Sequence, residues 1–409
     1  MVLEGSNKGP RGERSSSAHV LLLAALVFVA GSRLFAHGAA QDLDDLALDQ
    51  MYNLEYDGAR QTLEAQLRLH PDDLRALNYL GSLTLDEELL REGLYSAEAY
   101  TNRGVAARQN KPEMPPGYET KLMDVLQRAQ SAAEARLKQN PDDQDALYWA
   151  GVTDATRAEF YFTLKRSYIP ALHEGSAAYK LHQRLYRLNP GYTDALLVIG
   201  MGQYTAGTLP WYFKVVASIA GFRGTKARGF DDLKQVSERG RYAREDAKII
   251  LVVFYRREGM YAQAIGALQD LARVYPRNSL ALTEMVRIDE AAGDWRSATR
   301  TADELVARLD SRAPGYEQMP AARILYETGK AHEHLGEMDE ALRLYDRAAT
   351  VPGKKPFSYE AELAAAHLEL QLNHPAAARQ RYQQIVDAAP DTEEGKAARQ
   401  ALRDIGNRE

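Results

Sequence analysis

The sequence predicts an all-α fold, an α–α superhelical solenoid in which antiparallel helix pairs stack one on the next. Three observations predict it. A glycine, a large residue two positions on and an alanine three further recur along the C-terminal half, first after 34 residues. No segment alternates apolar and polar residues as a strand would. Proline, often after Asn, His or Tyr, punctuates the chain at Pro71, Pro141, Pro190, Pro276 and Pro390, where one helix pair should end and the next begin.

The 409 residues, 45% hydrophobic and 26% charged, provide ample material for a core. The net charge of -6, with Arg scattered among Asp and Glu, argues against nucleic-acid binding, which needs a basic face to neutralise phosphates. The absence of Cys removes disulfides, thiolate nucleophiles and thiolate metal sites. Tyr outnumbers Phe, 23 to 9. That bias suits half-buried helix faces, where the ring packs and the hydroxyl stays wet.

Taken in order, residues 1–40 read as a signal peptide. Lys8, Arg11 and Arg14 precede the apolar run Val20 to Ala30, and Ala36-His37-Gly38 offers a small-x-small cleavage pattern. The rival reading is an uncleaved anchor over residues 18–36. Either way the body is expected to be exported, as a periplasmic, secreted or membrane-anchored protein. Residues 41–244 form a divergent helical region. Tyr56, Ala59, Leu63 and Pro71 make one fair repeat, and Lys111 to Gly117 interrupts the array before a helix from about Glu119 to Gln139. Asn140-Pro141 and Asn189-Pro190 then bound a unit longer than the repeat, which predicts elongated helices or inserted turns.

Within that region residues 209–222 form an apolar helix, with Trp211, Tyr212, Phe213 and Phe222 as its large side chains. An all-round apolar helix is normally buried. Trp-Tyr-Phe beside Lys214 also suits an exposed contact with a partner or a membrane surface. Both readings stay open.

Residues 245–390 carry four units. Gly259, Tyr261, Ala264, Leu268 and Pro276 define the first, and Gly293, Trp295 and Ala298 the second. Gly336, Met338, Ala341 and Tyr345 follow after an insertion around Arg312 to Gly315. Asn373, Pro375, Ala378, Tyr382 and Pro390 make a weaker fourth. Alanine allows the two helices of a pair to approach, and glycine supplies a left-handed residue between them. Residues 391–409 are expected to form a capping helix.

This unit resembles the tetratricopeptide repeat. A second resemblance is narrower. The run LPWYFKVVASIAGFRGTKARGFDDL, with Gly221, Phe222, Gly224, Gly229 and Phe230, is similar to a eukaryotic tetratricopeptide family linked to inclusion-body clearance in fungi and lipid homeostasis in animals. Arg166 to Ile169 and Ala177, Tyr179 and Lys180 extend the likeness, which covers about residues 140–310. It implies a non-enzymatic adaptor.

No residue set predicts catalysis, a cofactor or a metal site. His332-Glu333-His334 lacks the i, i+4 spacing that puts two imidazoles on one helix face, and reads as solvated helix surface. Gly200-Met201-Gly202 and Gly221 to Lys226 lack the strand and spacing of nucleotide loops. Asp72-Asp73 and Asp142-Asp143 read as helix-start carboxylates.

What remains is a groove lined by the first helix of each pair. Its projected positions are Asp246, Ile249, Val253 and Arg256; Leu280, Thr283, Arg287 and Glu290; Arg323, Tyr326, Lys330 and Glu333; Glu360, Leu363, His367 and Leu370. Arg256, Arg287, Arg323, Tyr326 and Lys330 would suit a protein or acidic peptide ligand. The other reading is that these cations pair with Glu290 and Glu333 and keep the groove soluble. Ile249 and Val253 stand where a two-carboxylate clamp needs Lys and Asn, so that recognition mode is excluded. The functional expectation is a non-enzymatic, extracytoplasmic scaffold. The alternative is a peripheral membrane or lipid-associated protein using residues 209–222.

Overall fold

The computed structural model describes residues 42–94, 112–208, 224–317, 319–351 and 356–406. Among them are 17 α-helices and no strand. In chain order the helices are α1 (Leu43–Tyr52), α2 (Tyr56–Leu69), α3 (Leu74–Arg91), α4 (Tyr118–Gln139), α5 (Gln144–Thr163) and α6 (Tyr168–Leu188). After a short 3₁₀ turn come α7 (Leu196–Thr208), α8 (Lys226–Arg239), α9 (Arg244–Arg257), α10 (Tyr261–Val274), α11 (Ser279–Ala292) and α12 (Trp295–Asp310). The last are α13 (Ala321–His334), α14 (Met338–Thr350), α15 (Pro356–Gln371), α16 (Pro375–Ala388) and α17 (Glu393–Gly406). Odd helices open each pair, even helices close it, and α17 follows the last pair.

The turn inside a pair has one backbone requirement. Gly259, Gly293 and Gly336 adopt φ of 72°, 77° and 79° between their helices. The same place is filled by Leu54 in the first pair, Arg166 in the third and Asn373 in the last, also at positive φ. Ala264, Ala298 and Ala341 are fully buried where the second helix of each pair meets the first. Between pairs, Asp73 accepts from the amides of Arg75 and Ala76, and Asp143 from that of Ala146. They are N-caps. Asn278 does the same for α11.

Helices α3, α5 and α7 are buried on nearly every side, whereas α2, α8 and α12 bury one stripe only. The reason is closure. Tyr52, ending α1, donates its hydroxyl to Asp246 in α9 at 2.7 Å, and its ring lies 5.0 Å from that of Tyr275. Asn278 donates to the Tyr52 carbonyl at 2.7 Å, and Arg277 pairs with Glu55. The first helix pair therefore touches the fifth and sixth, and the N-terminal half curls into a ring. Its centre is filled by aromatic side chains: Trp149 lies 5.5 Å from Tyr79, 4.8 Å from Tyr148 and 5.2 Å from Tyr242. One apolar core runs from Ala47 to Ala361, so the change in repeat regularity at 244/245 is no seam in the packing.

Two expectations are corrected here. The tyrosines fall into two settings: among the described residues many are half-buried as expected, but Tyr79, Tyr148, Tyr204, Tyr316, Tyr345 and Tyr382 are among the largest fully buried side chains. Several phenols reach carboxylates instead of water, as Tyr204 does Glu258 at 2.8 Å and Tyr345 does Glu333 at 2.7 Å. His332 is not solvated surface. It is 6% exposed, with Nδ1 2.6 Å from Glu337 and Nε2 2.9 Å from Asp303. Helix α12 packs over it.

Gly200 and Gly229 serve close packing between α7 and α8. A Cβ on Gly229 would lie 2.6 Å from the Gly200 carbonyl oxygen and from the Tyr204 amide nitrogen. Thr225 caps α8, and Lys226 reaches Glu258.

Candidate partner-binding groove

Of the projected groove positions, Asp246 alone is buried, because the ring closes over it; the others are half-buried or exposed. They form one stripe across α9, α11, α13 and α15, the first helices of four successive pairs. Helical spacing of three and four residues keeps each set on one face.

The structure brings Arg256, Arg287, Arg323, Tyr326 and Lys330 onto that stripe and surrounds them with acids. Glu284 lies 2.6 Å from Arg287 and 3.7 Å from Arg256, and both guanidinium side chains are mostly covered. Arg323 donates to Glu327 at 2.9 Å while its guanidinium stacks 5.1 Å from the Phe357 ring. Lys330 sits 5.8 Å from the Tyr326 ring centre, within cation–π range. Tyr326 in turn lies 5.8 Å from Tyr345, whose hydroxyl holds Glu333.

The electrostatics follow from this interleaving. Burial pushes the Glu290 carboxyl up; Lys330, Arg287 and Arg256 pull it down, and Glu327 pushes it up. Burial also raises Glu360, with Glu394 and Glu327 adding to it and Arg323 and Lys330 opposing. Tyr326 is held above its ordinary value by burial, then by Glu360, Glu327 and Glu333. A network of interleaved cations and carboxylates therefore spans four helix pairs, from Arg256 in α9 to Glu360 in α15.

Sequence reasoning missed Glu284 and Glu327 as partners. The signal was present, since Glu284 and Arg287 are three apart and Arg323 and Glu327 four apart, the spacings at which helical side chains meet. Trp211, Tyr212, Phe213 and Phe222, the other candidate contact, lie outside the described residues. Among the described residues no helix is long and apolar enough to cross a membrane, and no group of three or more His, Asp or Glu is placed to hold a metal ion.

Family models of the tetratricopeptide repeat match residues 45–88 and 283–358, and a second such model matches 249–278. The chain carries tetratricopeptide repeats. The matched stretches hold the first pair and most of the stripe. Solved structures similar in fold include yeast Tom70, at 13% identity and TM-score 0.36 over 88% of each chain. PilW, a type IV pilus biogenesis factor, is similar at 14% identity and TM-score 0.32, over 68% of this chain and 93% of that one. A tetratricopeptide repeat protein from Parabacteroides merdae is similar at 16% identity and TM-score 0.28, over 81% and 98%. At these values none of the three carries an argument about function. No curated protein matches the sequence.

Proposed function

We propose that this tetratricopeptide protein is a non-enzymatic, extracytoplasmic scaffold that binds a protein or peptide partner along the stripe of Arg256, Arg287, Arg323, Tyr326 and Lys330. One observation carries the reading: α3, α5 and α7 are packed shut on nearly every side, whereas the projected positions of α9, α11, α13 and α15 other than Asp246 stay half-buried or exposed. Tetratricopeptide arrays commonly use that face for protein partners. Arg256 and Arg287 are held by Glu284, so Arg323, Tyr326 and Lys330 form the accessible part. An acidic segment would exchange its carboxylate for that of Glu327 on Arg323, retaining the charge-assisted bond. The basic region and apolar run within residues 1–40 support export. The likeness of residues 140–310 to the inclusion-body-clearance family supports an adaptor in place of a catalyst.

The test compares wild type with an Arg323→Glu/Lys330→Glu variant as bait in envelope extract. A partner retained by wild type and lost by the variant, at equal melting temperature, is the expected result. Equal retention by both would remove the stripe as the binding face. N-terminal sequencing of the chain recovered from fractionated cells tests export, with a mature terminus near Gln41 expected.

A further inference from the structure

We propose a second binding site on the outer side of the ring, in the cleft between α2 and α4, that takes a small organic anion with a phosphate or carboxylate on a short apolar body. The cleft is an open depression of about 430 Å³, within the size range of small-ligand pockets. Four cations surround it: Arg60 and Arg68 from α2, Lys121 and Arg128 from α4. Between them the nearly buried side chains of Leu67, Leu80 and Val125 form an apolar floor.

The placement follows from helical periodicity. Arg60, Glu64 and Arg68 recur every four residues on one face of α2; Lys121, Val125 and Arg128 recur at four and three on one face of α4. Successive second helices of a solenoid run side by side, so two rows of cations flank a channel whose floor is α3. Gly81 of α3 lets α4 close in, since a Cβ there would lie 2.7 Å from a Leu126 methyl carbon.

The charge is in surplus. Arg60 is paired with Glu87, and Arg128 donates to the Pro71 carbonyl at 3.3 Å. Arg68 and Lys121 make no hydrogen bond or ion pair among the described residues. Glu64 is the single acid on the lining. Elsewhere this chain of net charge -6 intersperses its cations with carboxylates, as in the groove above. With Glu87 holding Arg60 and Glu64 on the lining, two positive charges are left without a carboxylate around the cleft, and a bound anion would balance them. Guanidinium forks match the geometry of phosphate and carboxylate oxygens. The apolar floor selects an anion with a hydrocarbon or aromatic part over a bare inorganic one. A lipid headgroup shares this chemistry, and the vesicle arm of the experiment separates the two sources.

The experiment titrates the full chain with 1-naphthyl phosphate by calorimetry, beside inorganic phosphate and phosphatidylglycerol vesicles. Three proteins are compared: wild type, Arg68→Glu/Lys121→Glu, and a Lys234→Glu/Arg403→Glu control whose net charge changes equally at exposed sites on α8 and α17. Wild type and control are expected to bind naphthyl phosphate saturably, with the cleft variant weaker by about tenfold or more, equivalent to roughly 1.4 kcal/mol. All three should melt together, because the altered side chains are exposed. No saturable binding, or the same loss in the control, would overturn the site. Affinity for inorganic phosphate equal to that for naphthyl phosphate would overturn the apolar selection, and binding to vesicles alone would reassign the cleft to a membrane surface.

Discussion

At the residue scale, positive φ and buried imidazoles give the clearest consequences. A Cβ on Gly336 would meet nothing within 4 Å, so Gly336→Ala tests backbone conformation without steric clash. Its φ of 79° should cost about 1–2 kcal/mol in a chemical denaturation series. Asn373 occupies the equivalent place at φ 63° and is exposed, so Asn373→Gly should be neutral to slightly stabilising. A loss there matching that of Gly336→Ala would refute the equivalence. The two buried histidines respond to pH with opposite sign. Burial opposes charge on His332, but hydrogen bonds and charge from Asp303 and Glu337 outweigh it and push the ring up. Glu340, itself paired with Arg343, adds negative charge nearby. The His332 contribution is therefore fully present below the ordinary value of about 6.5 and is lost as pH rises through the raised folded value. For His182 burial lowers the ring to about 4, and Nε2 donates to the Tyr148 carbonyl at 3.1 Å. Its contribution is present above about 6.5 and is lost as pH falls toward 4. Stability differences between wild type and His332→Gln should thus shrink from pH 6 to 9, and those with His182→Gln from pH 7 to 4. Parallel slopes would contradict the assignment.

At the element scale, the spacing of Gly, aromatic and Ala placed the turns and buried contacts of the C-terminal pairs, because local packing sets both. Leu at Ala264, Ala298 or Ala341 should overpack a helix pair and lower stability by roughly 1–3 kcal/mol each. Wild-type melting in all three variants would show the register to be wrong. The same spacing could not show that Leu54 and Arg166 adopt the glycine's conformation, since neither residue type advertises it. Helix-start acids were legible at Asp73 and Asp143, which act within their own helix. Asp194 was not. It accepts from the amides of Arg241, Tyr242 and Ala243, nearly fifty positions away, and so sets the entry to α9. In the groove, the cations were legible as one stripe by projection, whereas their acid partners required tracing spacings from each cation in turn.

At the scale of the whole molecule, the ring was invisible in the sequence, because no periodicity marks Tyr52, Asp246 or Asn278 as neighbours. Replacing Tyr52 by Phe removes the donor to a fully buried Asp246, and should cost about 1–3 kcal/mol. Hydrogen exchange gives the sharper readout. Amides of α1 and of the start of α9 should lose protection together, although they lie 194 positions apart at that bond, while α16 and α17, which belong to a separate apolar cluster, should not change. Loosening of α1 alone would count against closure.

Closure also divides the molecule mechanically. An open solenoid stretches like a spring, because each repeat touches only its neighbours and small rotations add along the array. The bond between Tyr52 and Asp246, with the Asn278 contact beside it, ties two distant coils together. A tied coil cannot unwind without breaking the tie, so the helices from α1 to the start of α11 behave as a stiff hub. The pairs beyond it keep their elastic freedom. Bending to fit a partner is therefore confined to the arm that carries Arg323, Tyr326 and Lys330, and the hub serves as the fixed point from which that arm reaches.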